Sequence, residues 1–530
     1  MKPPADRPLL LLLAGWAALC VASLWLRPLW PVDETRYVAV AWEMWLRGDF
    51  LVPWINGEPY SHKPPLLFWL MHLGWAVFGV NEWWPRLIAP LCAVGAVPLL
   101  SRLGNLLFGE RQNFAPWILF GTLLFAGFTT LLMFDLLLLL CTMAGMIGVL
   151  TLADGRRLQG LAWLGAGIGL GVLAKGPVIL LHVLPVAVVA PWWAPQLKGR
   201  LARWTLDLLL GVLIGAAIAL AWALPAAQSG GEAYQRAIFW GQTAGRVSES
   251  FAHRAPFWYY LPLLPLILFP WFVWAPFWQA LKTSWNESRN PNRFLVAWLG
   301  LTLLGFSLVS GKQAKYLVPM LPAFALLVGI ALEKSRSAAR GWEMLPPMLG
   351  FLALPAGLAW IRADALRLGL PDWSAGLPLW PVVVSALCAP LLLFFSKEKL
   401  STQLRALAFA MLLAFSVVLA GVLPAFAPYG DTAPAAHYLA AQQRLKAPLA
   451  HLGKYHAQYN FAGRLAAPIA ILEHGELRAW VKANPAGRVI TVERKPTQSG
   501  AQPEYKGRFR GAWIEVWRGE SLLQARPELR

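Results

Sequence analysis

Two short motifs carry the densest chemistry in this 530-residue chain. Asp33-Glu34-Thr35-Arg36-Tyr37 sets two carboxylates and a guanidinium within four residues, and His62-Lys63-Pro64-Pro65 adds further basic groups about 30 residues later. A carboxylate such as Asp33 suits a general base toward a hydroxyl. Arg36 and Lys63 suit a phosphate, Arg as a planar fork and Lys as a point charge. The plainer alternative is that Asp33 and Arg36 only cap an interfacial helix over 35–47. Further on, Asp135 stands in Leu131-Leu132-Met133-Phe134-Asp135-Leu136. A lone acid near membrane depth is a functional candidate by default, with a helix cap as the alternative. His253 and Arg254 precede the aromatic run Pro256-Phe257-Trp258-Tyr259-Tyr260, where they are placed to contact a lipid phosphate. Gly311-Lys312-Gln313-Ala314-Lys315-Tyr316 is a second short basic stretch, while Lys175, on the turn Ala174-Lys175-Gly176-Pro177, reads as a snorkelling side chain.

The elements that must hold these residues are membrane helices. The chain is 58% hydrophobic and 14% charged, against about 25% charged for a soluble domain, which excludes a water-soluble enzyme. The net charge of +19 does not signal nucleic acid, because cytoplasmic loops of membrane proteins collect Lys and Arg. Thirteen spans are expected, near 9–26, 86–101, 114–132, 136–153, 161–174, 177–194, 205–227, 259–277, 294–310, 317–332, 343–361, 377–395 and 404–423. The run 9–26 is read as an uncleaved first span rather than a signal peptide. The apolar stretch 66–80 is read as interfacial. Every inside loop is then basic, with Arg102 and Arg111 in one and Lys198, Arg200 and Arg203 in another; a spanning 66–80 would turn them all outward. This puts the N-terminus in the cytoplasm, the C-terminus outside, and the acid-bearing loops on the outer face. The loop 311–316 is basic on the wrong side for topology, which argues for an anionic ligand.

The four Cys each sit alone in apolar runs, so neither a disulfide framework nor a thiolate site is supported. No Walker, Rossmann or HExxH motif is present. ATP is absent outside the membrane, so a reaction there draws on a leaving phosphate, and a phosphate-bearing lipid is the expected partner. Residues 424–530 form a second unit, a small α/β domain with a helix over Pro434–Leu445 and strands at Arg488–Glu493 and Ala512–Trp517. From residue 430 onward it carries 15 Lys and Arg against 8 Asp and Glu.

The order of these motifs is familiar: Asp33-Glu34-x-Arg36-Tyr37, His62-Lys63-Pro64-Pro65, an apolar helix, Trp84-Pro85-Arg86-Leu87, Asp135, then Lys315-Tyr316-Leu317-x-Pro319-x-x-Pro322. Over roughly residues 1–430 the chain resembles the GT-C glycosyltransferases of the protein-O-mannosyltransferase superfamily, nearest the branch that transfers 4-amino-4-deoxy-L-arabinose to lipid A. The resemblance implies an all-α polytopic bundle of about 13 helices in a bacterial inner membrane, interfacial helices in the first periplasmic loop, and a periplasmic C-terminal domain. It implies transfer of a sugar from an undecaprenyl-phosphate donor to lipid A, or to another envelope glycan or protein. Asp33, Glu34 and Asp135 would be catalytic. Arg36, Lys63, His253, Arg254, Lys315 and Tyr316 would hold the donor phosphate and lipid. His62 stands where the arabinose branch favours a metal-binding Glu, so His62 and His253 are the candidate ligands of a divalent metal. Asp135 also lacks the branch's small-residue surroundings and follows Phe134 instead. A polyprenyl-lipid flippase is the competing class, but transporters place their polar groups at the midplane on paired broken helices, and here the acids gather at one rim.

Overall fold

In a bilayer each backbone N–H and C=O must find its partner within the protein, so long apolar runs fold as helices. The computed structural model describes residues 7–109, 113–241, 254–285, 288–335, 340–363, 376–497 and 501–529. Among these residues nine segments are long and apolar enough to cross a membrane. They coincide with nine of the thirteen expected spans.

The other four spans are interrupted. Residues 114–132 split into Ala115–Phe120 and Leu123–Thr129, and 177–194 into Val178–Val188 and Ala190–Trp193. Residues 259–277 become short turns leading into Ala275–Ser284, and 377–395 becomes Trp380–Cys388 followed by a 3-10 turn over Ala389–Phe395. Pro residues stand at three of these breaks, among them Pro191, Pro262, Pro265, Pro270 and Pro390, while 114–132 breaks at Gly121-Thr122. Proline removes a helix N–H and clashes with the preceding turn. Thirteen is therefore a count of apolar segments, of which nine among the described residues are helical segments long and apolar enough to cross a membrane.

Helix α1 (Arg7–Leu26) leads into α2 (Asp33–Arg47), whose first turn carries Asp33 and Glu34, where the helix dipole favours acids. Gly48, at φ 64°, ends α2 in the left-handed conformation. A small hairpin follows, β1 (Trp54–Ile55) and β2 (Glu58–Pro59), turned by Asn56 and Gly57 at φ 51° and 90°. Helix α3 (Leu66–Phe78) has 13 residues. At 1.5 Å per residue it is about 20 Å long, short of the roughly 30 Å hydrocarbon core. Helix α4 (Trp83–Phe108) is the next long apolar element.

Two 19-residue helices, α5 (Asp135–Ala153) and α6 (Arg157–Lys175), form an antiparallel hairpin. Their backbones touch along a seam of glycines. A Cβ at Gly148 would lie 2.4 Å from Leu164 N, and one at Gly167 2.4 Å from Gly145 N. Only small residues permit this approach between membrane helices. The hairpin brings the first residue of α5 beside the last residue of α6.

The C-terminal unit is built on a five-stranded sheet of order β4-β3-β5-β7-β6. Its strands are β3 (Leu449–Leu452), β4 (Ala470–Leu472), β5 (Arg488–Glu493), β6 (Tyr505–Phe509) and β7 (Ala512–Arg518). The expected helix is present as Ala433–Arg444. The unit rests on the first loop. Asn56 exchanges two 2.9 Å hydrogen bonds with the Ile469 backbone. The Trp42 indole donates to Leu465 O at 3.0 Å, and Phe461 stacks on Trp75 with centroids 5.6 Å apart.

Candidate active site

Asp33 and Arg36 lie three residues apart on α2, hence on one face. Arg36 Nη2 donates to Asp33 Oδ1 at 2.5 Å, and Lys315 Nζ reaches Asp33 Oδ2 at 3.4 Å from a 3-10 turn over Ala314–Met320. Asp33 and Lys315 are 282 positions apart in the chain. Burial acts to raise the Asp33 pKa, but Lys315, Arg36 and Lys63 outweigh it, so the carboxyl is held below its usual range. Lys63 Nζ sits over the Phe134 ring, 5.6 Å from its centroid.

A second pair lies deeper. Asp135, 2% exposed, accepts from Lys175 Nζ at 2.5 Å, and Lys175 also faces the Tyr316 ring at 5.3 Å. Lys175 is therefore not a snorkelling side chain. Its own side chain is 9% exposed and bonded to the acid that opens α5. Tyr37 lies between the two groups, and both Asp33 and Asp135 act on its hydroxyl; with burial the larger cause, its pKa stands well above the ordinary value. Phe134 joins the elements, with its ring edge-to-face against Tyr37 at 4.8 Å and against Phe68 at 5.8 Å. The bulky residue before Asp135 thus knits α2, α3 and α5 together.

Glu34 does not join this cluster. One helical position from Asp33, it is turned about 100° away. Its buried carboxylate accepts from Arg27 at 2.5 and 2.9 Å, from Trp30 N at 2.7 Å and from Leu132 N at 2.7 Å. Arg27 also donates to Thr130 O. The expectation that Glu34 belongs to a catalytic pair does not fit this geometry. Glu34 instead clamps the start of α2 to the segment before Asp135. Removing one partner of a buried ion pair costs about 3–5 kcal/mol. Glu34→Ala is expected to lose about that much stability, read as a lowered Tm in detergent. A wild-type Tm would refute the clamp.

Arg254 forms an isolated antiparallel bridge with Gly311, and Lys312 Nζ donates to Ala255 O at 3.0 Å. Residues 254–255 are thereby sewn to the loop that carries Lys315 and Tyr316. His253 lies outside the described residues. His62 is exposed, with its ring 5.4 Å from that of Tyr60. Among the described residues no three His, Cys, Asp or Glu side chains gather into a metal-binding set. No such set surrounds His62 among the described residues, and His253, the other candidate ligand, is not among them.

Apolar helices, acids and cations at their ends, and an α/β unit docked on the same loops define a membrane-embedded transferase. Comparison with known proteins makes this specific. Residues 62–222 match the dolichyl-phosphate-mannose-protein mannosyltransferase family. The undecaprenyl phosphate-alpha-4-amino-4-deoxy-L-arabinose arabinosyl transferase of Pseudomonas paraeruginosa is 33% identical over 412 residues, covering 72% of this chain and 73% of that protein. Its namesake in Sodalis glossinidius is 35% identical over 316 residues, covering 57% and 54%. The crystal structure of ArnT from Cupriavidus metallidurans in the apo state superposes with a TM-score of 0.76 at 19% identity, covering 98% of this chain and 99% of that one. The same protein bound to undecaprenyl phosphate gives 0.74 at 20% identity, covering 97% and 98%. The chain belongs to the family of undecaprenyl phosphate-4-amino-4-deoxy-L-arabinose arabinosyl transferases, and is a multi-pass membrane glycosyltransferase of the GT-C fold.

Proposed function

We propose that this protein moves 4-amino-4-deoxy-L-arabinose from undecaprenyl phosphate to a phosphate group of lipid A on the periplasmic face of the bacterial inner membrane. In this reading residues 1–423 form the transmembrane part, with the N-terminus cytoplasmic, and 424–530 the periplasmic α/β part. The donor tail lies among membrane lipids. Arg36, Lys63, Lys315 and Tyr316 hold the donor phosphate, with Lys175 beside them and Arg254 at the rim. They stabilise the charge that develops as it leaves. An acceptor oxygen attacks the anomeric carbon, the carbon–oxygen bond to the donor phosphate breaks, and its electron pair departs with undecaprenyl phosphate.

The observation that carries the choice of acceptor is the company Asp33 keeps. Two cations hold it ionised and make it a weak base. A hydroxyl nucleophile needs a base of higher pKa. A phosphate oxygen is already ionised at neutral pH and needs only orientation. Lipid A mass spectra from a deletion strain complemented with wild type or Asp33→Asn test the reading. An aminopentose restored by wild type alone supports it. Unchanged lipid A in the deletion strain, with the gene expressed in its parent, refutes the acceptor. A flippase would release no free undecaprenyl phosphate.

The same contacts set the pH response. A depressed carboxyl pKa stabilises the fold above the unfolded value, and that contribution is lost as pH falls through the folded value. Transfer by the wild type is expected to keep its rate down to the ordinary aspartate value of about 3.9. In Lys315→Met the largest opposing charge is gone and burial pushes Asp33 up. The acid limb of kcat/KM should then move to higher pH. Superimposable profiles would refute the pairing.

A further inference from the structure

The C-terminal sheet has one edge whose chemistry the mechanism above does not use. Strands β3 and β5 are parallel, β7 runs against β5, and β6 runs against β7. Thus β3, β5 and β6 all end at the same edge. Open α/β sheets bind ligands beyond the carboxyl ends of their strands. At this edge the chain places Gly453-Lys454-Tyr455-His456 after β3 and the turn Arg510-Gly511 after β6.

Both loops are held in place. Arg510 and Gly511 have φ of 50° and 79°, a tight hairpin turn, and Arg510 N donates to Tyr429 O at 2.6 Å. His456 N donates to Gln458 Oε1 at 3.0 Å, and Gln458 O accepts from Thr432 Oγ1 at 2.9 Å. Arg36, Lys454 and Arg510 act on the His456 imidazole in one sense, and the Asp33 carboxylate in the other. Partial desolvation of its ring, on a residue that is exposed overall, and these three cations hold it below its ordinary pKa. Lys454 and Arg510 are exposed, and neither forms an ion pair among the described residues. Cations from two separate loops at one end of the sheet thus act on the same imidazole as Arg36 of the first loop, and Lys454 and Arg510 have no carboxylate paired to them among the described residues.

We propose that Lys454, His456 and Arg510, together with Arg36, form a second anion subsite that binds a phosphomonoester of the lipid acceptor and presents its oxygen past Asp33. This rests on the transfer reading above. Lys63, Lys175 and Tyr316 serve the donor phosphate from the helix ends, while the sheet edge serves the acceptor from the soluble side. Arg36 lies between them and bears on both.

The test is Lys454→Ala/Arg510→Ala in the full-length protein, with its melting curve compared with wild type. Two readouts are taken. One is binding to phosphatidylcholine vesicles containing bisphosphorylated lipid A, with dephosphorylated lipid A and phosphatidylglycerol vesicles as the other arms. The second is steady-state transfer. A charge-assisted hydrogen bond is worth about 1.5–3 kcal/mol, or roughly tenfold or more in affinity for each lost. Binding to bisphosphorylated lipid A should weaken at least ~10-fold, and the acceptor KM should rise by a similar factor. The donor KM and the kcat at saturating acceptor should stay at wild-type values, and Lys454→Arg/Arg510→Lys should restore binding. Unchanged lipid A binding overturns the subsite. So does equal, variant-sensitive binding of phosphatidylglycerol vesicles, which would make the edge a general membrane anchor. Failure of the transfer reading shows separately, as a wild type that transfers nothing to lipid A, and the binding arm still decides the subsite.

Discussion

Asp33→Asn should abolish transfer while leaving insertion, folding and donor binding intact. Asparagine keeps the shape of the side chain and removes its charge. Arg36 and Lys315 lose the anion that fixes them, at 2.5 and 3.4 Å, and the acceptor oxygen loses the group that orients it. Misplacing a reacting group costs about 10²-fold or more in rate. A loss in that range is expected, read as free undecaprenyl phosphate released from the donor, with kcat falling and the donor KM little changed. Transfer at the wild-type rate would remove Asp33 from the mechanism. A fall confined to the donor KM would make it a binding residue.

The second large effect is structural first and catalytic second. Lys175→Met strands Asp135, a carboxylate that is 2% exposed and whose cation is gone. The expected cost is about 3–5 kcal/mol, read as a lower Tm in detergent. Asp135→Asn/Lys175→Met should recover most of it, because both charges leave together. Neither variant should transfer sugar, since the Lys175 ammonium beside Tyr316 is lost in both. A double variant as unstable as the single would show that packing, not charge, sets the cost. An active double variant would remove Lys175 from the phosphate site.

The outer cluster was legible in the residues themselves. Asp33 and Arg36 share a helix face by spacing alone, and the topology-breaking loop pointed to Lys315 and Tyr316. Glu34 points away from Asp33, and the signal for that was present: adjacent helical residues cannot face the same way. Lys175 was missed because a snorkelling lysine and a buried paired one look alike one residue at a time. Only the partner, 40 positions away, tells them apart. Hydropathy saw the four interrupted spans as whole, although prolines at three of the breaks were in plain view. In the soluble unit, β3 and β4 have four and three residues, too few for alternation to show.

The α5–α6 hairpin acts as a ruler. Its two arms have 19 residues each, and the glycine seam fixes how they lie against one another. Adding one residue to either arm would lift its end by 1.5 Å and swing it by about 100°. Asp135 and Lys175 would then point past each other, although neither had been changed. Point substitutions on the outer faces of these helices should be absorbed easily. A single insertion or deletion in the middle of either arm, far from any reacting group, should silence the enzyme unless a matching change in the opposite arm restores the measure.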